Sequence, residues 1–258
     1  MWVLETVAVA FGMYSALPTP RVEWNETNMR YALAAFPLVG AVLGLAWWGV
    51  CALSAALALP DLLRGAMLCA LPALVTGGIH LDGYADSSDA LASHASPERR
   101  QEILRDPHCG AFAVIRLCVY FIAYFSLCCA AEPTPRVLWC VGAGFVLSRA
   151  LSGLLLTVLP IAGASSLAKA FADAAAKRRV RWMLCAASAF LAAAMLWLGR
   201  LTGAAMLCAA ALTVRRYVYT ATREFGGTSG DLAGWFLVKV ESWMLAAAVA
   251  GQYREKVI

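Results

Sequence analysis

The sequence predicts an all-α fold: a polytopic integral membrane helical bundle of about seven transmembrane helices, with catalytic loops on the cytoplasmic side. Three observations carry this. Of the 258 residues, 62% are hydrophobic and only 14% are charged. Water-soluble domains are typically about half apolar and a quarter charged. The mean hydropathy is +0.70, and the apolar residues fall in runs near the twenty or so that a bilayer demands. The same figures argue against a solvated single-domain enzyme and exclude a disordered chain, a collagen-like sequence and a coiled coil. Residues 1–258 read as a single domain.

The runs follow in order. Residues 2–17 are apolar but end at Pro18 and Pro20, as an eighth span or an interfacial helix. The seven spans are 33–59, 62–79, 111–131, 137–159, 182–198, 201–214 and 234–250. Pro37 and Pro72 fall inside or beside spans, where neighbouring helices tolerate a kink. Gly40 and Gly44 form a small-x-x-x-small pattern, which lets helices approach closely. Met1 to Ala10 carries Glu5 and no basic residue, so no cleavable signal is expected. The nine cysteines form no C-x-x-C pair and lie mostly in apolar runs, as small hydrophobes.

Charge placement sets the expected orientation. With residues 18–32 on side one, that side holds thirteen of the 21 Lys and Arg, among them Arg99, Arg100, Arg105 and Lys177 to Arg181. Side two holds Arg64, Arg136, Arg200, Arg254 and Lys256. The excess puts side one in the cytoplasm. Three long polar loops (80–110, 160–181 and 215–233) then face it. The net charge of +5 follows from these loops and not from a basic nucleic-acid face, so no nucleic acid is expected as partner. Membrane lipid is one, with Lys177-Arg-Arg-Val-Arg181 at the headgroups. A homo-oligomer is compatible with the pattern.

The chemistry concentrates in residues 76–89. Asp82, Asp86 and Asp89 are spaced i, i+4, i+7, which aligns them on one stripe of a helix. Like charges at that spacing repel, and a low-dielectric boundary strengthens the repulsion. A cation is therefore expected, and hard oxygen ligands without cysteine suit Mg²⁺, Mn²⁺ or Ca²⁺. A solvated acidic face is the bland alternative. A second acidic site is Arg105-Asp106-Pro-His108. A third is Gly226-Gly227-Thr-Ser-Gly230-Asp231, whose glycines suit a phosphate cradle or a plain turn. Asp231 is a metal ligand or an N-cap. His80 is an acid/base candidate. Arg149, Lys239 and Glu241 lie within spans, where a charge reads as functional by default. Arg149 suits phosphate, an interhelical ion pair being the alternative. Lys239 and Glu241, two apart, point to different sides of their helix.

At these residues the chain resembles the cobalamin synthase (adenosylcobinamide-GDP ribazoletransferase) family. The matching pieces are Phe36-Pro-Leu-Val-Gly-Ala-Val-Leu-Gly44, Thr76-Gly-Gly-Ile-His-Leu-Asp-Gly-Tyr-Ala-Asp-Ser-Ser-Asp89, Glu102 to Gly110, Ser148-Arg149 and Gly226 to Asp231. They run in the family's order along the whole chain. The Gly-Gly-x-His-Leu-Asp-Gly-x-Ala-Asp-x-x-Asp segment is the specific one. The resemblance implies a multi-pass enzyme of the bacterial inner membrane that needs Mg²⁺. It implies transfer of adenosylcobinamide phosphate from adenosylcobinamide-GDP to α-ribazole or α-ribazole 5′-phosphate, with release of GMP. Asp82, Asp86, Asp89 and Asp231 are then the expected metal ligands. His80 and Asp106 join the stripe aspartates as expected catalytic groups. Arg149, Arg105, Gly226, Gly227, Gly230 and Asp231 are expected at substrate. The chain departs from the family pattern at Pro107, at Ala90 and over Ala162 to Lys169.

Two other classes compete. A CDP-alcohol phosphotransferase signature also begins Asp-Gly-x-x-Ala. It then needs Arg where this chain has Asp86, and a later pair of spaced aspartates that is missing here. A corrinoid transporter would use the intramembrane charges, but no inverted repeat is visible.

Overall fold

The computed structural model describes residues 2–162 and 175–255. Among them the secondary structure is helical, apart from one isolated parallel bridge between Ile161 and Thr228. In chain order the helices are α1 (Trp2–Tyr14), α2 (Glu26–Met29), α3 (Ala32–Ala56), α4 (Asp61–Thr76), α5 (Ile79–Ala92), α6 (Pro97–Ile103), α7 (Ala111–Ala130), α8 (Pro135–Val158), α9 (Lys177–Tyr219) and α10 (Gly230–Glu255). A π-helical turn, Thr220–Glu224, follows α9. The protein is a multi-pass helical membrane protein. Five of its helical stretches are long and apolar enough to cross a bilayer, and α4 with α5 makes a sixth if that bent pair counts as one span.

Seven runs were expected, and the difference has a physical cause. Arg200 has φ 48° and ψ −125°, which no helix accommodates, and it divides α9 into two arms. A Cβ on Gly203 would strike the backbone oxygen of Met195 eight residues earlier, so the arms turn back on each other. They are the expected spans 182–198 and 201–214. A second correction concerns 80–110, which is not a loop but largely α5 and α6. Gly77 and Gly78 take φ of 66° and 79°, a left-handed pair open mainly to glycine. They turn α5 by 93° from α4, so the carboxylate stripe leaves the direction of the span before it. The 13 residues of α1 rise only about 20 Å, short of the bilayer core, so the eighth-span alternative for 2–17 falls. Its continuation bonds back to α4, Ala16 N–H to Val75 O at 2.9 Å.

The core runs down the α3–α8 seam. Trp47 meets Phe145 at 5.5 Å between ring centroids, and Phe36, Leu43 and Leu147 are buried beside them. The Gly40/Gly44 pattern is what lets the seam close. A Cβ on Gly44 would stand 2.9 Å from Gly142 Cα, and one on Gly40 would strike the Phe145 carbonyl. Gly40→Leu is expected to force α3 away from α8 and to lower stability by about 1–3 kcal/mol, the range for overpacking. A melting curve in detergent checks this.

Side-chain bonds tie the two ends of the bundle. At one end Arg64 donates to Ala131 O, Gln252 Nε2 donates to Ala130 O at 2.6 Å, and Arg136 pairs with Glu255. At the other end Arg100 of α6 pairs with Glu224 of the π turn, Gln101 Nε2 donates to Phe225 O at 2.8 Å, and Thr228 N–H donates to Pro160 O at 2.7 Å. That second end collects α5, α6 and the glycine loop, which carry nearly all of the sequence-derived site.

Candidate active site

The site is built on the contact of α5 with the first turn of α10. Gly83 is the residue that allows it. A Cβ there would lie 2.6 Å from Asp231 O and 2.7 Å from Asp231 Cα. Asp231 therefore sits directly against α5, level with Asp82 and Asp86. Asp86 is half-buried and is repelled by Asp82, Asp231 and Asp89 together. Among the described residues none of these four aspartates pairs with a lysine or arginine.

Asp89 does something the others do not. Its Oδ2 accepts from Gly110 N–H at 2.6 Å and its Oδ1 from Ala113 N–H at 2.9 Å. Gly110 is the N-cap of α7 and has no capping side chain of its own. Asp89 fills that place from another helix, satisfying N–H groups that a helix start leaves unpaired. Asp89→Ala is expected to cost about 1 kcal/mol, the usual worth of a cap. It should speed amide exchange at Gly110 and Ala113 while leaving the response to Mg²⁺ unchanged.

Several expected site residues are elsewhere. Arg149 is fully buried in α8 and is not free for phosphate. Its Nη1 pairs with Glu241 Oε1 of α10 and bonds Ser148 Oγ at 3.0 Å, and Ser148 Oγ donates to the same carboxylate at 2.9 Å. The interhelical ion pair is the correct reading, because a charge this deep needs its counter-charge. Gly226 takes the left-handed conformation at φ 70°, but Gly227 has no N–H left for an anion. Gly227 and Thr228 spend their N–H groups on Ala221 O and Pro160 O, both at 2.7 Å. A Cβ on Gly227 would stand 2.7 Å from Ala162 N and from Pro160 O, so the glycine is there for chain-to-chain packing. Gly230 opens α10 and Ser229 Oγ caps it, accepting from Leu232 N–H at 3.2 Å.

His80 precedes Asp82 by two residues, which places it about 200° around α5. Its backbone lies against Gly234, its ring is edge-on to Phe36 at 6.0 Å, and its Nε2 is buried with no hydrogen-bond partner. It is not gathered with the carboxylates. Asp106 is exposed and bonded to His108, through Nδ1 at 2.7 Å and the backbone N–H at 3.0 Å. Those bonds hold its carboxyl below the usual carboxylate range. Arg105 is exposed beside it. The stretch Ala162 to Lys169 lies outside the described residues beyond its first position.

Sequence reasoning also missed a feature. Arg116, Arg216 and Lys239 line one cavity of about 900 Å³ with Tyr84, Trp235 and Trp243. Of these charges Lys239 stood out only as a residue inside an apolar run, and nothing in the spacing of the three links them.

No group of three or more His, Cys, Asp or Glu among the described residues is close enough to enclose a metal. The donor set still fits Mg²⁺. That ion takes one or two carboxylates together with substrate phosphates and rarely a full protein cage. Asp82, Asp86 and Asp231 offer hard oxygens, lack counter-charges and repel one another.

Residues 6–249 match the profile of the family described as cobalamin-5-phosphate synthase. The chain belongs to the cobalamin-5-phosphate synthase family. It is thus an enzyme, a transferase of cobalamin synthesis. A relative from Lachnoclostridium phytofermentans is 41% identical over 99% of this chain and 96% of its own length. One from Desulfitobacterium hafniense is 34% identical over 88% and 89%, and one from Geobacillus kaustophilus 31% over 94% and 97%. All three are named adenosylcobinamide-GDP ribazoletransferase. No solved structure matches the chain. Of the motifs that carry the family resemblance, the acidic and glycine-rich ones gather at α5, before α7 and at the start of α10, whereas Phe36 to Gly44 and Ser148-Arg149 lie in the packed seam of α3 and α8.

Proposed function

We propose that the chain is an adenosylcobinamide-GDP ribazoletransferase, with Asp82 and Asp86 as the core of its active site. The observation that supports this is the packing of the Asp231 backbone against Gly83, which lies between those two aspartates in α5, at the end of the bundle where the polar segments collect. The reaction is attack of the ribose 3′-oxygen of α-ribazole, or of its 5′-phosphate, on the phosphorus bonded to the aminopropanol arm. The new P–O bond forms as the P–O bond to GMP breaks. Phosphoryl transfers of this kind depend mainly on positioning and charge neutralisation.

Asp82 and Asp86 would hold Mg²⁺, with Asp231 beside them. Bound there, the ion supplies positive charge to the diphosphate and to the leaving oxygen. Asp231 would take the hydroxyl proton on a carboxylate oxygen. The Gly83 contact fixes its distance from α5. Exposed Arg105 is free to meet phosphate from the solvent side. The charge count argues for an inner-membrane protein with this end in the cytoplasm, where a water-soluble nucleotide conjugate is at hand.

The test is direct. Purified protein in detergent, given adenosylcobinamide-GDP and α-ribazole, should release GMP only when Mg²⁺ is present. EDTA should stop release and added Mg²⁺ restore it. Release that is indifferent to EDTA sinks the metal assignment. No release with either acceptor sinks the function.

A further inference from the structure

The bundle carries a second charged chamber on another face of α5. Tyr84 and Ser88 of that helix line it, and both are about half a turn from the Asp82–Asp86 stripe. Its volume of about 900 Å³ lies within the range of ligand sites. Arg116 of α7, Arg216 of α9 and Lys239 of α10 converge on it. None of the three forms an ion pair among the described residues. Their neighbours are aromatic instead. Lys239 Nζ lies 5.5 Å from the centre of the Tyr84 ring, and the Arg216 guanidinium lies 5.5 Å from that of Tyr219. Arg116 and Lys239 are close enough to repel each other. Glu224, the acid on the wall, is already taken by Arg100. Three unpaired cations around one space, within or beside membrane helices, require an anion.

The shape identifies which. The chamber's long walls, α7 and α9, hardly touch each other, so it is open sideways toward the bilayer. The edges of that gap are apolar and exposed, Phe112 at 55% and Leu212 at 67%. Trp243, on the wall, is exposed at 58%. The cations sit toward the end that holds the polar loops. We infer that this chamber binds one anionic phospholipid. Its phosphate lies among Arg116, Arg216 and Lys239, and an acyl chain leaves through the gap between α7 and α9. A water-soluble phosphate compound shares the headgroup chemistry but has no use for an apolar side exit. The inference does not depend on the proposed transfer reaction.

Native mass spectrometry of the full chain from detergent, titrated with phosphatidylglycerol and with phosphatidylcholine, tests this. The expected result is one phosphatidylglycerol retained at about tenfold lower concentration than phosphatidylcholine. Arg116→Gln and Arg216→Gln should each remove that preference, and Arg116→Lys should keep it. Both arginines are exposed on helix surfaces, so these variants should fold, and a melting curve in phosphatidylcholine alone verifies that. Arg254→Gln, exposed in the last turn of α10 at the opposite end of the bundle, should change nothing. Equal retention of the two lipids, or a preference that survives both glutamine variants, overturns the inference. So does displacement of the lipid by micromolar GMP or α-ribazole 5′-phosphate, which would assign the chamber to a substrate.

Discussion

Asp82→Asn and Asp86→Asn should each slow GMP release by roughly 10- to 100-fold, the scale on which loss of a metal's supporting groups acts, while leaving the fold intact. The reason is local. Asp86 is held against Asp82 and Asp231 with no lysine or arginine to offset the charge. Replacing one carboxylate by an amide relieves repulsion in the empty protein, so thermal stability should hold or rise. In the proposed site the same change would remove an oxygen ligand, so the Mg²⁺ concentration for half-maximal release should climb. Activity falls while stability does not. A merely structural acidic face would show the reverse or no change. Asp89→Ala supplies the contrast, since it loosens the start of α7 without moving the Mg²⁺ response. If Asp82→Asn and Asp86→Asn release GMP at wild-type rates with unchanged Mg²⁺ dependence, the site has been misplaced.

The largest effect on stability is expected at the α8–α10 ion pair. Arg149 and Glu241 are both buried, and each is the other's only opposite charge among the described residues. Removing one partner of such a pair costs about 3–5 kcal/mol, because the survivor is left charged and desolvated. Arg149→Met is therefore expected to melt far below wild type in detergent. Arg149 Nε and Nη2 already lack partners, so the pair is imperfectly satisfied. Arg149→Met combined with Glu241→Met should recover most of the lost stability. Activity should return with it, because neither group touches the carboxylate cluster. A double variant that is stable but inactive would restore Arg149 to the substrate.

Much of this protein is legible in its sequence. The apolar runs place the spans within a few residues, and they do so even at Arg200. There a single non-helical backbone conformation breaks the helix and turns the chain. The i, i+4, i+7 spacing of Asp82, Asp86 and Asp89 marks the site helix. What it cannot distinguish is their partners. Asp89 differs from Asp86 in facing the unfilled N-cap of α7, Gly110, which lies 21 residues later. Arg149 has the same side chain whether it waits for phosphate or answers Glu241, and the answer lies 92 residues away. Gly227 suits a phosphate cradle in sequence, but Pro160 and Ala162 take up the space beside it and Ala221 O takes its N–H.

By itself, then, the sequence determined the membrane-spanning class, the family and the helix that bears the carboxylates. These rest on composition, periodicity and short-range spacing, which are properties of contiguous residues. Only the tertiary structure decided that Asp231 joins Asp82 and Asp86, that Asp89 caps a helix, that Arg149 is a buried structural charge, and that Arg116, Arg216 and Lys239 share one chamber. Each of those facts is a pairing between distant helices. A buried or crowded charge takes its role from whatever stands opposite it in a medium of low dielectric, and packing alone sets that neighbour.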